Sequence, residues 1–214
     1  MRIAAVADLH GHLPAVPPCD VLLVAGDLRP RDAQSPDAEE AWLTGPFRAW
    51  LDEVPATETV GIAGNHDFLF ERAPERVPKD LRWTYLQDGS CVAGGLTLWG
   101  SPWTPWFYDW AFNAPRISGE LFLEERYSAV PSAVDVLLLH GPPAGYGDVT
   151  TPGTHVGSTA ALDLVDRVAP RACVFGHIHE GRGTWQRAGT TLVNCAAVDG
   201  AYEPLPDPVV VLDL

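Results

Sequence analysis

Positive charge is scarce in this sequence. Lys and Arg total 14 against 28 Asp and Glu, a formal net charge of −14 over 214 residues. That field repels polyanions, so long nucleic acid is an unfavourable partner unless bound cations reverse the sign locally. Cysteine is sparse as well: Cys19, Cys91, Cys173 and Cys195 lie far apart with no C-x-x-C pair, which reads as four structural thiols. No apolar run is long enough to cross a bilayer of ~30 Å. The chain opens into an apparent strand with no charged n-region or long h-region, so no membrane role is expected and a cytoplasmic location is. The 20 Gly and 20 Pro follow no fixed period, which excludes collagen, and 46% hydrophobic residues exclude disorder. The length predicts a single domain over residues 1–214.

Several short apolar runs read as buried strands: Ile3–Ala7, Val21–Ala25, Val60–Ala63, Leu96–Trp99, Val134–Leu139, Ala172–Phe175, Leu192–Val193 and Val209–Leu212. Most are continuous rather than alternating, as in strands covered on both faces of a layered α/β protein. Helices are expected near Asp37–Leu51, over Ser158–Val168 with Ser158 as cap, and over Glu120–Ser128. Segments 29–38 and 199–208 read as loops. Residues 99–113, WGSPWTPWFYDWAFN, hold four of the eight tryptophans, which fits either core packing or a wall beside a cleft.

The residues after these strands share a chemistry. Asp8 and His10 follow the first and Asp27 the second. Asn65, His66 and Asp67 follow the third, His140 the fifth, and His177 and His179 the sixth. Carboxyl ends of strands are where layered α/β folds bind ligands. A lone Asp or His there is ordinarily a cap, but capping would also draw on Ser and Thr. Residues i and i+2 of an extended segment point to one side, roughly 6–7 Å apart, so Asp8 can converge with His10, and His177 with His179. Seven candidate ligands (Asp8, His10, Asp27, Asn65, His140, His177, His179) are too many for one tetrahedral ion. Two divalent ions sharing a bridging carboxylate account for all of them. An N/O set without thiolate suits manganese, iron, zinc, nickel or cobalt better than a soft metal and disfavours a pure Mg or Ca site; manganese is the expected ion. Two such ions against Asp8 and Asp27 make the site net positive, as a phosphate ester requires.

The five ordered blocks Asp8-x-His10, Gly26-Asp27, Gly64-Asn65-His66-Asp67, His140 and Gly176-His177-x-His179 resemble those of the calcineurin-like metallophosphoesterases. Within that superfamily, residues 99–113, LLLHGPP at 137–143 and FGHIHEG at 175–181 are similar to the small single-domain metallophosphoesterase-domain-containing proteins of animal brain and their bacterial relatives. The resemblance implies an α/β fold, a two-sheet β-sandwich flanked by helices (α/β/β/α), which the strand pattern alone does not separate from a doubly wound parallel sheet. It also implies roles. Asp8, His10, Asp27 and His179 would hold one metal, and Asp27, Asn65, His140 and His177 the other, with Asp27 bridging. A hydroxide between the ions would attack phosphorus in line, and His66 would protonate the leaving group. The third block ends in Asp67 where the family often has Glu, a position that does not ligate.

With no obvious inserted cap, broad specificity is expected. The finer resemblance favours phosphodiesters, aryl diesters and cyclic nucleotides among them. The same residues would serve a phosphomonoesterase acting on nucleotides or phosphoproteins, or a weakly catalytic scaffold, although a scaffold has no need of His66.

Overall fold

The computed structural model describes residues 1–214. Two mixed sheets face each other with helices outside. In the first, β1 (Arg2–Val6), β2 (Cys19–Ala25), β3 (Ala56–Ile62) and β4 (Thr84–Tyr85) run parallel. β11 (Val210–Asp213) closes the β1 edge antiparallel. The second has the order β5 (Gly89–Ala93), β6 (Leu96–Ser101), β7 (Val136–Leu139), β8 (Ala172–Phe175), β10 (Thr190–Asn194), β9 (Gly183–Arg187). Its inner four strands are parallel and both edges antiparallel.

Side-chain alternation along each strand builds three apolar layers. Ile3, Ala5, Val21, Leu23, Leu98, Val136, Leu138 and Val174 fill the space between the sheets. Ala4, Val6, Leu22 and Val24 point the other way, onto Leu43, Phe47, Trp50 and Leu51. On the far side Leu137, Leu139, Cys173 and Phe175 meet helices α4 (Gly119–Ser128) and α5 (Thr159–Val168) through Leu123, Tyr127, Leu164 and Val165. Both faces of each central strand are thus covered, which is why their sequences are continuously apolar. The sandwich replaces the doubly wound alternative.

The helix expected at Asp37–Leu51 forms in three pieces. α1 (Pro36–Trp42) starts one residue early, with Ser35 Oγ accepting from Ala38 N. A π turn at Leu43–Phe47 contains Pro46, and α2 (Arg48–Glu53) follows. Pro46 has no N–H to donate and its ring crowds the preceding turn, so the backbone widens there. Ser158 caps α5 as expected, its Oγ accepting from Ala161 N. Three strands lack a sequence signal of the kind sought: β4 has two residues, and β5 and β9 are half-exposed edges with no apolar run. β5 joins β6 through Gly94-Gly95 and β9 joins β10 through Ala188-Gly189, both pairs at positive φ as a two-residue turn demands.

The two sheets meet at one end. Ala7, just past β1, bridges Ala196, just past β10, with Ala7 N donating to Cys195 O and Ala197 N to Ala7 O. The carboxyl ends of β1, β2, β3, β7 and β8 open around this junction.

Candidate metal centre

All seven candidate ligands gather there. Asp8, Asp27, Asn65 and His140 are almost inaccessible, His10 and His179 are buried, and His177 is half-buried. Strand alternation, expected to bring Asp8 together with His10 and His177 with His179, is not what gathers them. Asp8 (φ 53°), His10 (φ 42°), Asp27 (φ 56°) and His177 (φ 70°) all have left-handed backbone. A non-glycine residue pays for that conformation, and such strain collects at functional sites. The turns also need glycine as neighbour. A Cβ on Gly176 would strike the Asp8 carboxylate, and one on Gly64 would strike that of Asp27.

Two donor sets share Asp27. In the first, His10 Nε2 lies 3.3 Å from His179 Nε2 and 3.5 Å from Asp27 Oδ2, while His179 Nε2 lies 3.7 Å from Asp8 Oδ1. In the second, Asn65 Oδ1 lies 2.8 Å from His140 Nε2 and 2.6 Å from His177 Nδ1, and His140 Nε2 lies 3.5 Å from Asp27 Oδ1. Ligands around one transition-metal ion at ~2.0–2.2 Å are separated by roughly 3–3.5 Å, close to these spacings. Asp8, His10 and His179 form one grouping able to hold an ion, and Asp8, Asp27 and His140 another.

The donor chemistry fits a cation. His140 Nδ1 lies 2.8 Å from the Ala25 carbonyl and His179 Nδ1 3.0 Å from that of Asp199. Each ring's proton is therefore held outside, leaving Nε2 as a lone pair facing the cleft, the arrangement that orients metal-binding imidazoles. His10 Nδ1 is buried with no partner. Nitrogen and oxygen donors thus converge at the spacing a cation needs. Burial disfavours charge on His140, but Asp27, Asp8 and the Ala25 carbonyl outweigh it and raise the imidazole to about 9. Burial lowers His10 and His177 to about 3, and raises Asp8 to about 6. Burial also opposes charge on Asp27, yet His140, His66 and His10 hold its carboxyl well below the usual range.

His66 is half-buried at the rim, its ring 5.0 Å from that of His10 and 4.7 Å from Trp110. Its amide donates to Asp27 Oδ1 at 2.7 Å. Asn65 and His66 occupy a turn. His66 itself falls into a grouping with His10 and Asp27. Burial lowers its imidazole, with Asp27 opposing.

Asp67 serves the turn itself and contacts no histidine ring. Its buried carboxylate accepts from Gly64 N (2.7 Å), Leu28 N (2.9 Å) and Arg29 N (3.3 Å), clamping the loops after β2 and β3. Arg182 anchors backbone carbonyls of Ala196, Asp207 and Pro208. His12 is exposed, and His155 pairs with Asp148 at 2.9 Å. Sequence reasoning passed over Tyr202, in a segment that reads only as loop. Its ring lies 4.8 Å from His10 and 4.9 Å from His179, with Arg31 stacked 4.1 Å above it. The cleft between these groups has a volume of about 120 Å³.

Residues 1–181 match the family described as calcineurin-like phosphoesterase. The chain is 34% identical to metallophosphoesterase domain-containing protein 1 of Homo sapiens, an alignment covering 98% of this chain and 70% of the human protein. The Mus musculus protein of the same name gives the same figures. Among solved structures, the phosphopantetheinyl hydrolase of Mycobacterium tuberculosis shares the fold with a TM-score of 0.59 at 15% identity, over 98% of this chain and 95% of that one.

Proposed function

This chain belongs to the calcineurin-like phosphoesterase family, and we propose that it hydrolyses phosphodiesters with two divalent transition-metal ions, manganese the first choice. The observation that carries the reading is the convergence of the nitrogen and oxygen donors of Asp8, His10, Asp27, Asn65, His140, His177 and His179. Held by these residues, two cations would acidify a water and neutralise phosphoryl oxygens.

The chain's own residues do the rest. Asp27, placed between both sets, holds the two positions in register, and the Ala25 and Asp199 carbonyls fix the ring orientations. His66 donates a proton to the leaving oxygen from the cleft rim. Such an acid contributes ~10²–10⁴-fold, and its lowered pKa places the alkaline limb of the rate profile below that of an ordinary histidine.

The charge of the lining supports diester over monoester. Glu180 is among the cleft residues and no Lys or Arg is, Arg31 being held against the Tyr202 ring, so the extra charge of a monoester dianion finds no Lys or Arg lining the cleft. His66→Ala should lose far more rate on an alkyl ester than on a nitrophenyl ester, because nitrophenolate leaves without a proton. Equal losses on both would remove His66 from the acid role.

A further inference from the structure

A second cavity of about 180 Å³ adjoins the metal cleft, sharing Trp110 and His177 with it. Its walls are Pro105, Trp106, Phe107, Val156 and Ile178, with Thr150 the one other polar side chain. Trp106 and Phe107 remain 40% and 48% exposed, so ring surface is open to a ligand in this cavity. Trp110 carries the aromatic surface inward, 5.1 Å from Phe107 on one side and 4.7 Å from His66 on the other.

The loop is held in this shape. Asn113 Oδ1 accepts from Phe107 N at 3.3 Å, and its Nδ2 donates to Phe107 O and Tyr108 O at 3.2 and 2.8 Å. Ala111 N donates to Asn65 O at 3.0 Å, fastening the loop to a residue of the metal centre. Tyr108 and Phe112 adopt positive φ at 51° and 52°. Arg116 stacks on Trp106 at 4.6 Å. A set of rings fixed by hydrogen bonds to the metal-centre loop is a preorganised surface.

We propose that this cavity receives a flat aromatic group of the phosphate ester whose phosphorus lies in the metal cleft. The inference rests on the phosphoesterase reading and adds the class of organic group the enzyme selects. Cavities for drug-sized ligands run to ~300–1,000 Å³, so this one takes a single ring system. With one hydroxyl besides the shared histidine, the wall stacks on a ring without reading its edge, and an aryl group and any nucleobase are accommodated alike.

The test is calorimetric and needs no turnover. Manganese-loaded protein is titrated with methylphosphonate, phenylphosphonate and a nucleoside 5′-phosphonate, whose C–P bonds do not hydrolyse. Phenylphosphonate should bind on the order of tenfold tighter than methylphosphonate, and that ratio should fall toward one in Trp106→Ala and in Phe107→Ala. Both residues are surface-exposed, and a thermal melt verifies folding. A gain by both aromatic ligands supports the proposal, and whichever gain is larger identifies the source, aryl or nucleobase. Equal affinities for phenyl and methyl in the wild type, or a ratio that survives both substitutions, overturns the aromatic subsite and leaves the phosphoesterase reading intact. Failure of every phosphonate to bind protein that holds its metals overturns both.

Discussion

Replacing Gly176 by alanine tests how the metal centre is built, because the structure predicts which ligand moves. An ideal Cβ at Gly176 falls within bonded-like range of Asp8 Oδ2 and of the Ala7 side chain, and 3.1 Å from Asp8 Cγ. Carbon and oxygen settle at about 3.2–3.5 Å, so the carboxylate must retreat by roughly 1 Å. A metal–ligand distance tolerates only about ±0.2 Å, and the retreat also strains the two hydrogen bonds from His177 N to Asp8, at 2.9 and 3.0 Å. Overpacking of this kind costs ~1–3 kcal/mol of stability, which leaves a folded protein. The expected result is a cooperative melt at reduced Tm with fewer than two metal ions per chain by elemental analysis. A Gly176→Ala protein that keeps both ions at wild-type affinity would refute the packing argument.

Three further outcomes follow from particular residues. Gly45→Ala is the matched control, since a Cβ there meets nothing within 4 Å; stability should rise by about 0.5–1 kcal/mol, and a loss would contradict the open placement. Burial, with Asp67 adding to it, raises Glu39 to about 8 from an ordinary 4.5, the Arg29 guanidinium at 4.0 Å being too far to offset it. Folded protein therefore keeps a proton that unfolded chain releases near 4.5. Its contribution to stability is complete below that value and lost as pH rises to about 8, at up to ~1.4 kcal/mol per pH unit. Metal-free Glu39→Gln should show a shallower decline between pH 6 and 8 in urea denaturation, and an unchanged slope would assign the decline elsewhere. Metal entry must displace the His140 proton, held to about pH 9, so manganese affinity should strengthen up to about tenfold per unit between pH 7 and 8.5. Calorimetry in buffers of different ionisation heat should show protons released, and a pH-independent affinity without release would contradict that ligand.

The site was far more legible in the sequence than the sheet edges were. Asp8, Asp27, Asn65, His140, His177 and His179 follow strands whose continuous apolar runs announce themselves, so their shared location could be read from order alone. What brings them together could not. Left-handed backbone at Asp8, His10, Asp27 and His177 is a tertiary outcome, set by the Ala7–Ala196 junction and by glycines whose missing Cβ atoms make room. The same holds for Tyr202 over His10 and His179, which arrives from a proline-rich loop with no local pattern. Edge strands β5 and β9 carry polar residues on their half-exposed faces and so show no apolar run, and their turn pairs, Gly94-Gly95 and Ala188-Gly189, were not read as hairpins. No helix is long and apolar enough to cross a membrane, in keeping with the absence of a long apolar run.

The most direct measurement is a manganese titration of metal-stripped protein, following hydrolysis of bis-p-nitrophenyl phosphate and p-nitrophenyl phosphate side by side. The account predicts no turnover without metal, a rise that saturates at two equivalents, and a higher kcat/KM for the diester. Turnover that persists in stripped protein, or none with two ions bound, would contradict it.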